Sequence, residues 1–387
     1  MKSSIFDEYK IAVSQSIDSA TALPFDVYRS KDVYDLERAR VFSKEWLFVC
    51  AEEQLKAPGS YFAFEIAGES IAVVRTSSGR LKALSNICRH RGTPLLDEGV
   101  GHFGKNITCP YHAWTYSDEG KLKALPFQGD VHLNKEEHCL AKFHVDTWLG
   151  LVFVSLDTSP QPLSERLSHL SDYLEIFQPE RFVNSYIGSS EIWQANWKLA
   201  VENAIESYHL FKVHKETLET VTPSKDAYYV AGSSEWAISG GKMKTSENKL
   251  LNWLIGETSE SLNHYLLVFI PPSFIGIMTY ESFDWLSVSP IDETSCQIYS
   301  GGMTEGKVDQ DKATTGFVQQ FMFEDKVICE RVQKGMKSNK TTGGKLVEME
   351  KIIIDFRQFL VSRLFSVTPE QFTESSQAAL YHQVRDG

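Results

Sequence analysis

The sequence predicts an α+β fold, because its strand-like and helical segments follow one another in separate blocks. From Trp46 onward, short runs of β-branched and aromatic residues alternate with turn residues, and helical spacing begins after Pro162. The second half contains further strand-like runs and then two long helical patterns. We therefore predict a β-rich domain at residues 45–160 and a second domain formed by residues 1–44 and 161–387.

The predicted elements of the first domain and its leader are one helix and several strands. Ser30 could cap a helix that covers Val33–Phe42. Turn residues divide the strand-like runs, as at Ala67–Ser70 and Ser77–Gly79. The strand-like runs are Tyr61–Ile66, Ile71–Thr76, Leu81–Ile87 and Trp148–Leu156.

The second domain mixes both kinds of element. Trp197–His214 alternates apolar and polar residues at helical spacing, and Val318–Met336 and Lys345–Leu364 are also typical of helices. The predicted strands are Tyr265–Ile270, Phe274–Tyr280, Trp285–Ser289 and Ser295–Ser300.

Composition excludes several classes of protein. The chain has 387 residues, 39 basic and 51 acidic side chains, and a net charge of −12, which argues against binding to nucleic acid. It has no run of apolar residues long enough to span a membrane, and no apolar core of a signal peptide near its N-terminus. Its six cysteines are scattered. We therefore expect a cytoplasmic protein with reduced thiols.

The first candidate site consists of two cysteine–histidine pairs. Cys88 and His90 lie in one loop, and Cys109 and His112 lie in a second loop 18 residues further on. Two thiolates and two imidazoles could hold a tetrahedral zinc ion, or a [2Fe–2S] cluster with two cysteines on one iron and two histidines on the other. The residues could also be buried cysteines with incidental histidines.

The residues around these pairs resemble a known family. Cys88–Leu95 and Cys109–Trp114 closely resemble the two ligand loops of the Rieske domains of ring-hydroxylating oxygenases. The resemblance implies a Rieske [2Fe–2S] cluster held by Cys88, His90, Cys109 and His112. Ala113 departs from the family, which commonly has glycine at this position.

The second candidate site is a group of acidic and histidine residues in the segment that follows Asn196. Glu206 and His209 are three residues apart and share a face of an ideal helix. His214 lies five residues beyond His209, or about 140° around such a helix, so both imidazoles can reach one metal only if the helix ends or bulges between them. Isolated histidines of this kind are more often part of the core or the surface.

The same segment resembles the iron-binding helix of Rieske non-heme iron oxygenases. The similarity covers the Asn-Trp-Lys motif at Asn196, the Glu-Asn pair at Glu202, and the later acidic and histidine residues. It implies a mononuclear Fe(II) site held by His209, His214 and a distant carboxylate. We assign the carboxylate to Asp325, with Glu324 and Glu330 as the neighbours that could be mistaken for it.

The resemblance also implies two residues around the iron. Glu206 occupies the position where many relatives have aspartate, and such an acid bridges a cluster histidine, here His112, to an iron ligand, here His209, in the next subunit. Glutamate lengthens this arm by one methylene group. Asn203 is a candidate for a residue that supports the iron ligands, although it could simply be a polar residue on the helix surface.

The resemblance implies a terminal oxygenase with an N-terminal Rieske β domain and a helix-grip catalytic domain, usually assembled as a homotrimer. Electrons would come from a separate NAD(P)H-dependent reductase, a ferredoxin or both, and O2 would be the co-substrate. We expect hydroxylation of a small organic substrate, with an aromatic compound as the first choice. The alternatives are oxidation or demethylation of a quaternary ammonium compound such as carnitine, choline or betaine, and, outside enzymes, a Rieske electron carrier or a zinc-binding protein.

Aromatic residues of the second domain could form the substrate pocket, or could cage a trimethylammonium group. Each of them taken singly is better explained as part of the core. The residues are Trp253, Tyr265, Phe269, Phe274, Tyr280, Phe283 and Trp285.

Overall fold

The computed structural model describes residues 4–244, 263–306 and 316–367. Its chain separates into two units. Phe42–Glu165 form the first, which we call the β unit, and Met1–Val41 with Arg166–Gly387 form the second, the α+β unit. The predicted α+β class is confirmed, because the described chain contains antiparallel sheets and helices.

The β unit contains two antiparallel sheets. Seven strands pair in the order β1-β10-β9-β4-β3-β2-β5, and three short strands pair in the order β6-β7-β8. The strands are β1 Trp46–Ala51, β2 Ser60–Ile66, β3 Glu69–Arg75, β4 Leu81–Ser85, β5 Gly99–His102, β6 Ile107–Thr108, β7 Thr115–Tyr116, β8 Leu122–Ala124, β9 Lys142–Trp148 and β10 Leu151–Ser155.

Side chains that alternate along these strands bring the two sheets to a common core. Tyr61 and Ala63 on β2 are buried in this core, as is Val74 on β3, in agreement with the two-residue period of a half-buried strand. Cys88 and Cys109 belong to the same cluster of buried residues. The fold therefore places both candidate cysteines inside, where the loops between strands meet.

One predicted strand is in fact the corner of a hairpin. Trp148 is the last residue of β9, and the chain turns at Leu149 and Gly150, whose φ angles are 48° and 75°. Strand β10 then begins at Leu151. The prediction of one strand over Trp148–Leu156 was wrong at its start, because a continuous apolar run does not reveal a turn inside it.

The α+β unit is built on a second antiparallel sheet of seven strands. Its order is β11-β17-β16-β15-β14-β13-β12. The strands are β11 Asn184–Trp193, β12 Ala227–Gly232, β13 Ala237–Lys242, β14 His264–Ile270, β15 Phe274–Met278, β16 Ser282–Asp292 and β17 Ser295–Thr304.

The described α-helices belong mainly to this unit. They are α1 Ile5–Val13, α2 Lys31–Glu37, α3 Leu163–Arg166, α4 Ser168–Leu174, α5 Trp197–Ile205, α6 Leu210–Val213, α7 Leu218–Val221, α8 Gly316–Gly335 and α9 Lys351–Phe365. Helix α5 packs against α8, and strands β15 and β16 also contact α5. None of the described helices combines the length and the apolar character needed to cross a membrane.

The Asn-Trp-Lys motif anchors the start of α5. The side chain of Asn196 accepts a hydrogen bond from the amide of Lys198 at 3.0 Å and so caps the helix. Glu37, which is fully buried, accepts hydrogen bonds from Trp197 Nε1 at 2.7 Å and from Lys198 Nζ at 3.0 Å. Tyr9 donates to its other oxygen at 2.9 Å. The buried carboxylate is therefore paired and hydrogen-bonded, as a charge in a protein interior must be.

Candidate metal centres

The two cysteine–histidine loops are closed by the same pair of backbone hydrogen bonds. The amide of Cys88 donates to the carbonyl five residues later at 2.9 Å, and the amide of Gly92 donates to the carbonyl of Cys88 at 3.0 Å. In the second loop the amide of Cys109 donates to the carbonyl of Trp114, again five residues later, at 2.8 Å. The amide of Ala113 donates to the carbonyl of Cys109 at 3.1 Å. The loops are therefore two copies of one turn.

This repeated turn requires a left-handed residue at its fifth position. Gly92 has a φ of 77° and Ala113 has a φ of 53°. A side chain in this region costs about 1–2 kcal/mol, and glycine avoids that cost. The geometry explains why relatives commonly have glycine where this chain has Ala113.

The loops place thiols inside and imidazoles outside. The thiols of Cys88 and Cys109 are buried and interact with each other, and Cys88 Sγ lies 3.5 Å from the hydroxyl of Tyr116. Burial raises the pKa of the Cys88 thiol, and the hydrogen bond with Tyr116 partly opposes this effect. A metal bound at this sulfur would favour its thiolate form.

The two imidazoles lie side by side at the surface of the β unit. The rings of His90 and His112 are 4.7 Å apart between centroids, and His90 stacks on Trp114 at 4.9 Å with an angle of 5°. His90 is exposed, whereas Nδ1 of His112 is buried and has no hydrogen-bond partner. A buried ring nitrogen without a partner is expected where a metal would bind it.

The donor set fits a two-iron cluster. The cysteine pair and the histidine pair occupy different positions, one buried and one towards the surface. No three of the four donors form a group within 4.8 Å of one another among the described residues, as a single zinc ion would require. Two sulfur and two nitrogen ligands are the set that a Rieske cluster uses.

In the α+β unit, a break in the helix brings two histidines together. Helix α5 ends at Ile205, and Glu206 has an extended backbone with φ −117° and ψ 163°. The chain then forms the single turn α6, which His209 precedes and His214 follows. The imidazole rings lie 5.1 Å apart between centroids. The predicted continuous helix over Trp197–His214 is therefore wrong. The break lies before Glu206 and not between the two histidines, which a single helical turn joins.

A carboxylate from α8 completes the group. Oδ1 of Asp325 lies 2.9 Å from Nε2 of His214 and 3.5 Å from Nε2 of His209. The donor atoms of these three residues all lie within 4.8 Å of one another. Glu330, an alternative to Asp325, instead accepts a hydrogen bond from the amide of Gln194 at 3.1 Å.

Each member of this group has its own supporting side chain. Oε1 of Glu206 lies 2.5 Å from Nδ1 of His209, within the same chain. Asn203 Nδ2 donates to Oδ1 of Asp325 at 2.7 Å. These contacts orient the ligand atoms towards a common point, as outer partners do in metal sites.

His214 has a supporting carboxylate that the sequence did not reveal. Glu324 Oε2 lies 2.8 Å from Nδ1 of His214 and accepts a hydrogen bond from Thr217 Oγ1 at 2.6 Å. Gln320 donates to its other oxygen at 3.0 Å. From the sequence, Glu324 is only an alternative to Asp325 as the metal ligand. The available signal was its position next to the expected ligand, since ligating histidines usually donate to a carboxylate.

The group is strongly coupled electrostatically. Burial lowers the pKa of His209, but hydrogen bonds with Asp325 and Glu206 outweigh burial and raise it to about 10. Burial raises the pKa of Asp325, but hydrogen bonds with both histidines bring it down to about 2. The residues therefore strongly favour positive charge at the point where their donor atoms converge. A divalent cation that binds there would displace the protons.

Most of the aromatic residues proposed for a substrate pocket pack in the core instead. Phe269 contacts Phe356 edge to face at 5.5 Å, and Phe274 contacts Phe283 at 6.1 Å. The guanidinium of Arg181 lies over Tyr280, and Trp285 is buried. The hydroxyl of Tyr265 lies 3.5 Å from Ser207, next to Glu206. Trp253 lies outside the described residues.

A loop pair suited to a Rieske cluster and a two-histidine, one-carboxylate group in one chain define a class of protein, the Rieske-type non-heme iron oxygenases. Comparison with known families agrees. Residues 45–143 match the Rieske [2Fe-2S] domain, and residues 168–366 match the ring hydroxylating alpha subunit (catalytic domain).

Similar proteins include two curated oxygenase subunits. The chain is 26% identical over 348 residues to the carnitine monooxygenase oxygenase subunit of Acinetobacter pittii, covering 86% of this chain and 90% of that protein. It is 35% identical over 205 residues to the glycine betaine monooxygenase oxygenase subunit of Chromohalobacter salexigens, covering 53% of this chain but only 46% of that relative. A solved quaternary ammonium Rieske monooxygenase has a TM-score of 0.77 at 22% identity, covering 92% of this chain and 98% of that structure.

The chain therefore belongs to the family of ring-hydroxylating oxygenase alpha subunits. It is an oxidoreductase of the Rieske oxygenase type, and the cofactors of its two domains are a Rieske [2Fe–2S] cluster and mononuclear iron. An isolated electron carrier would lack the catalytic domain, and a zinc-binding protein is inconsistent with the matched domains.

Proposed function

We propose that the chain is the terminal oxygenase of a system that oxidises a quaternary ammonium compound. The group formed by His209, His214 and Asp325 carries the oxygenase part of this proposal, because it joins three iron-type donors in a chain that also has the cluster loops. The substrate part is supported by the relatives named for carnitine and glycine betaine. These relatives give the quaternary ammonium alternative better support than the aromatic substrate that was the first expectation from the sequence.

In this proposal the cluster would be held by Cys88, His90, Cys109 and His112, and the iron by His209, His214 and Asp325. When bound, the cluster supplies single electrons and the iron activates O2 for insertion of oxygen into the substrate.

Three neighbouring residues prepare the ligands of the iron. Glu206 and Glu324 accept from Nδ1 of His209 and His214, which leaves Nε2 of each ring without its proton when the imidazoles are neutral. Asn203 donates to one oxygen of Asp325 and limits rotation of that carboxylate. The three contacts hold the donors in place before a metal binds, which lowers the cost of forming the site.

The partners follow from this assignment. We infer that a separate NAD(P)H-dependent reductase, a ferredoxin or both reduce the cluster, and that the chain works in the cytoplasm as a homotrimer. His90 is exposed at the surface of the β unit, as this proposal expects of a ligand that passes electrons from the cluster. Glu206 lies beside the exposed Tyr208, and Oε1 of Glu206 holds His209, as expected of an acid that bridges to His112 of a neighbouring copy.

A panel of substrates with a surrogate reductase tests the function. Glycine betaine, carnitine and choline are compared with benzoate and anthranilate, and both oxygen uptake and product mass are measured. We expect an oxidised or demethylated product from at least one quaternary ammonium compound. Product from the aromatic acids alone would contradict the proposed substrate class and show that the substrate is an aromatic compound.

The iron assignment is tested in the same assay. We expect His209→Ala to keep the red-brown colour and the Rieske EPR signal and to form no product. Product formation by this variant at the native rate would place the catalytic metal elsewhere.

A further inference from the structure

A cavity of about 220 Å³ lies in the α+β unit between α5, α8 and α9. Much of its wall is aliphatic, which suits a ligand that carries methyl or methylene groups. The apolar part of the wall includes Leu199, Ile328, Val332, Met336, Leu346 and Ile353.

The same wall carries three carboxylates and one guanidinium. Glu202, Glu206 and Glu350 contribute the negative groups, and Arg357 contributes the positive one. Burial raises the pKa of Glu202, and the nearby charge of Arg357 partly opposes this effect. The two side chains form no ion pair within 4 Å among the described residues. We call this space the acidic cavity, because three of these four side chains are acidic.

Two buried polar atoms of this wall have no protein partner. The hydroxyl of Tyr28 donates to Oε2 of Glu202 at 2.7 Å, but Oε1 is buried and has no hydrogen-bond partner. Arg357 is only 1% exposed and donates from Nη1 to the carbonyl of Thr21 at 2.6 Å, while its Nε has no partner. It is unusual for an acidic side chain and a guanidinium at the same cavity each to keep a buried atom without a hydrogen bond, because buried polar groups normally have hydrogen-bond partners.

The combination of charge and apolar wall selects the ligand. A quaternary ammonium group has no N–H to donate, so it needs nearby negative charge and contact with apolar groups rather than directed hydrogen bonds. A carboxylate on the same molecule would complement the guanidinium of Arg357.

We propose that the acidic cavity binds a small zwitterion that carries a quaternary ammonium group and a carboxylate, with its cation towards Glu202 and its carboxylate towards Arg357. This inference rests on the proposed function for the class of compound. The cavity adjoins the iron site, because Asn203 lines the cavity and also holds Asp325, and Glu206 lines it and holds His209.

Equilibrium binding to the full-length purified protein tests the proposal without turnover. Isothermal titration calorimetry would compare glycine betaine with 3,3-dimethylbutanoate, which replaces the ammonium nitrogen by carbon, and with choline, which lacks the carboxylate. We expect glycine betaine to bind at least tenfold more tightly than either probe, since each probe loses one charged interaction. Equal affinity for glycine betaine and its carbon isostere would overturn the proposal.

Three variants locate the binding. We expect Glu202→Gln and Arg357→Lys to lower the affinity for glycine betaine about ten- to hundredfold. Arg357→Lys should leave the affinity for choline almost unchanged. Val332, which is 37% exposed at the edge of the wall, allows a variant that keeps every charge. Val332→Trp should block binding by filling the cavity, and it remains informative if a buried charge variant does not fold. Glu330→Gln, on the same helix but outside the wall, is the matched control.

The outcomes separate this proposal from the proposed function. Native affinity for glycine betaine in Val332→Trp and in the folded charge variants would refute the cavity as the binding site. In that case, formation of product from glycine betaine would still support the proposed function. Loss of binding in these variants, with native affinity in Glu330→Gln, would support the cavity even if only aromatic compounds were converted. In both experiments the fold is checked by circular dichroism and by the absorbance of the cluster.

Discussion

The cluster loops and the group of His209, His214 and Asp325, which we call the iron group after its proposed metal, hold their donor residues in different ways. In the cluster loops, backbone hydrogen bonds close two identical turns, and His112 keeps a ring nitrogen without a partner. In the iron group, the backbone supplies only the break after α5, and side chains orient every donor. The difference teaches that local sequence determines the first site, whereas the second depends on residues that are distant in the chain.

The strongest way to break this comparison is to remove one donor from each site. We expect Asp325→Ala to lose iron and all product formation while it keeps the EPR signal of the cluster. Cys109→Ser should lose the cluster and retain the capacity to bind iron, because the donors lie in separate units. Metal analysis and EPR on both variants measure the two outcomes. Loss of both metals from either variant would show that the sites do not form independently.

The second test removes a distant support of the iron group. Lys198 and Glu37 are an ion pair with both side chains fully buried. Lys198→Met leaves the carboxylate of Glu37 without its cation and should destabilise the α+β unit by about 3–5 kcal/mol. Chemical denaturation followed by tryptophan fluorescence would give the change in the free energy of unfolding. The absorbance of the cluster would show separately whether the β unit remains folded. An exposed pair offers the control, since Lys31→Met next to Asp35 should change stability little.

The third test concerns the supporting carboxylate of His214. We expect Glu324→Ala to lower iron affinity or activity about 10- to 100-fold, because the imidazole loses the acceptor that orients it. The measurement is the dissociation of iron to a chelator, together with kcat. Glu324→Gln should recover part of the loss, and Thr217→Val should have a smaller effect in the same direction. An unchanged rate of iron release in Glu324→Ala would show that the contact between Glu324 and His214 does not help to hold the metal.

The smallest expected effect lies in the backbone of the cluster loops. Ala113→Gly removes a side chain from a left-handed residue and should stabilise the β unit by about 0.5–1 kcal/mol. The converse substitution at the matching position, Gly92→Ala, should destabilise it by a similar amount. Thermal unfolding followed by cluster absorbance compares the two variants. The same sign for both would contradict the view that the two loops are copies of one turn.

These contrasts explain how much could be predicted from the sequence. The cluster residues lie close together in the chain, so spacing and neighbours were enough to propose Cys88, His90, Cys109 and His112. Spacing predicted that a shared metal would need an interruption between His209 and His214, whereas the helix ends before Glu206 and a single turn joins the two histidines. Asp325 was reached only through the resemblance to a family, because 111 residues separate it from His214.

The remainder depended on tertiary packing. The position of Glu324 next to Asp325 was its only signal in the sequence, and it did not point to His214, since that contact exists only when α8 lies against the segment after α5. The aromatic residues of the second sheet could not be divided between core and pocket by their identity alone. Phe269, for example, is fully buried against Phe356 of α9. The turn at Leu149 was hidden inside an apolar run for a similar reason.

The early end of α5 has an electrostatic consequence as well as a geometric one. The peptide dipoles of a helix add up to a partial negative charge at its C-terminus, which is strongest within the last turn. Asn203 lies in that last turn and contacts Asp325, so the carbonyl end of α5 is next to the proposed ligands of the iron. The field of the backbone therefore favours a cation at this point in addition to the field of the carboxylates. A helix that continued to His214 would have placed its negative end elsewhere.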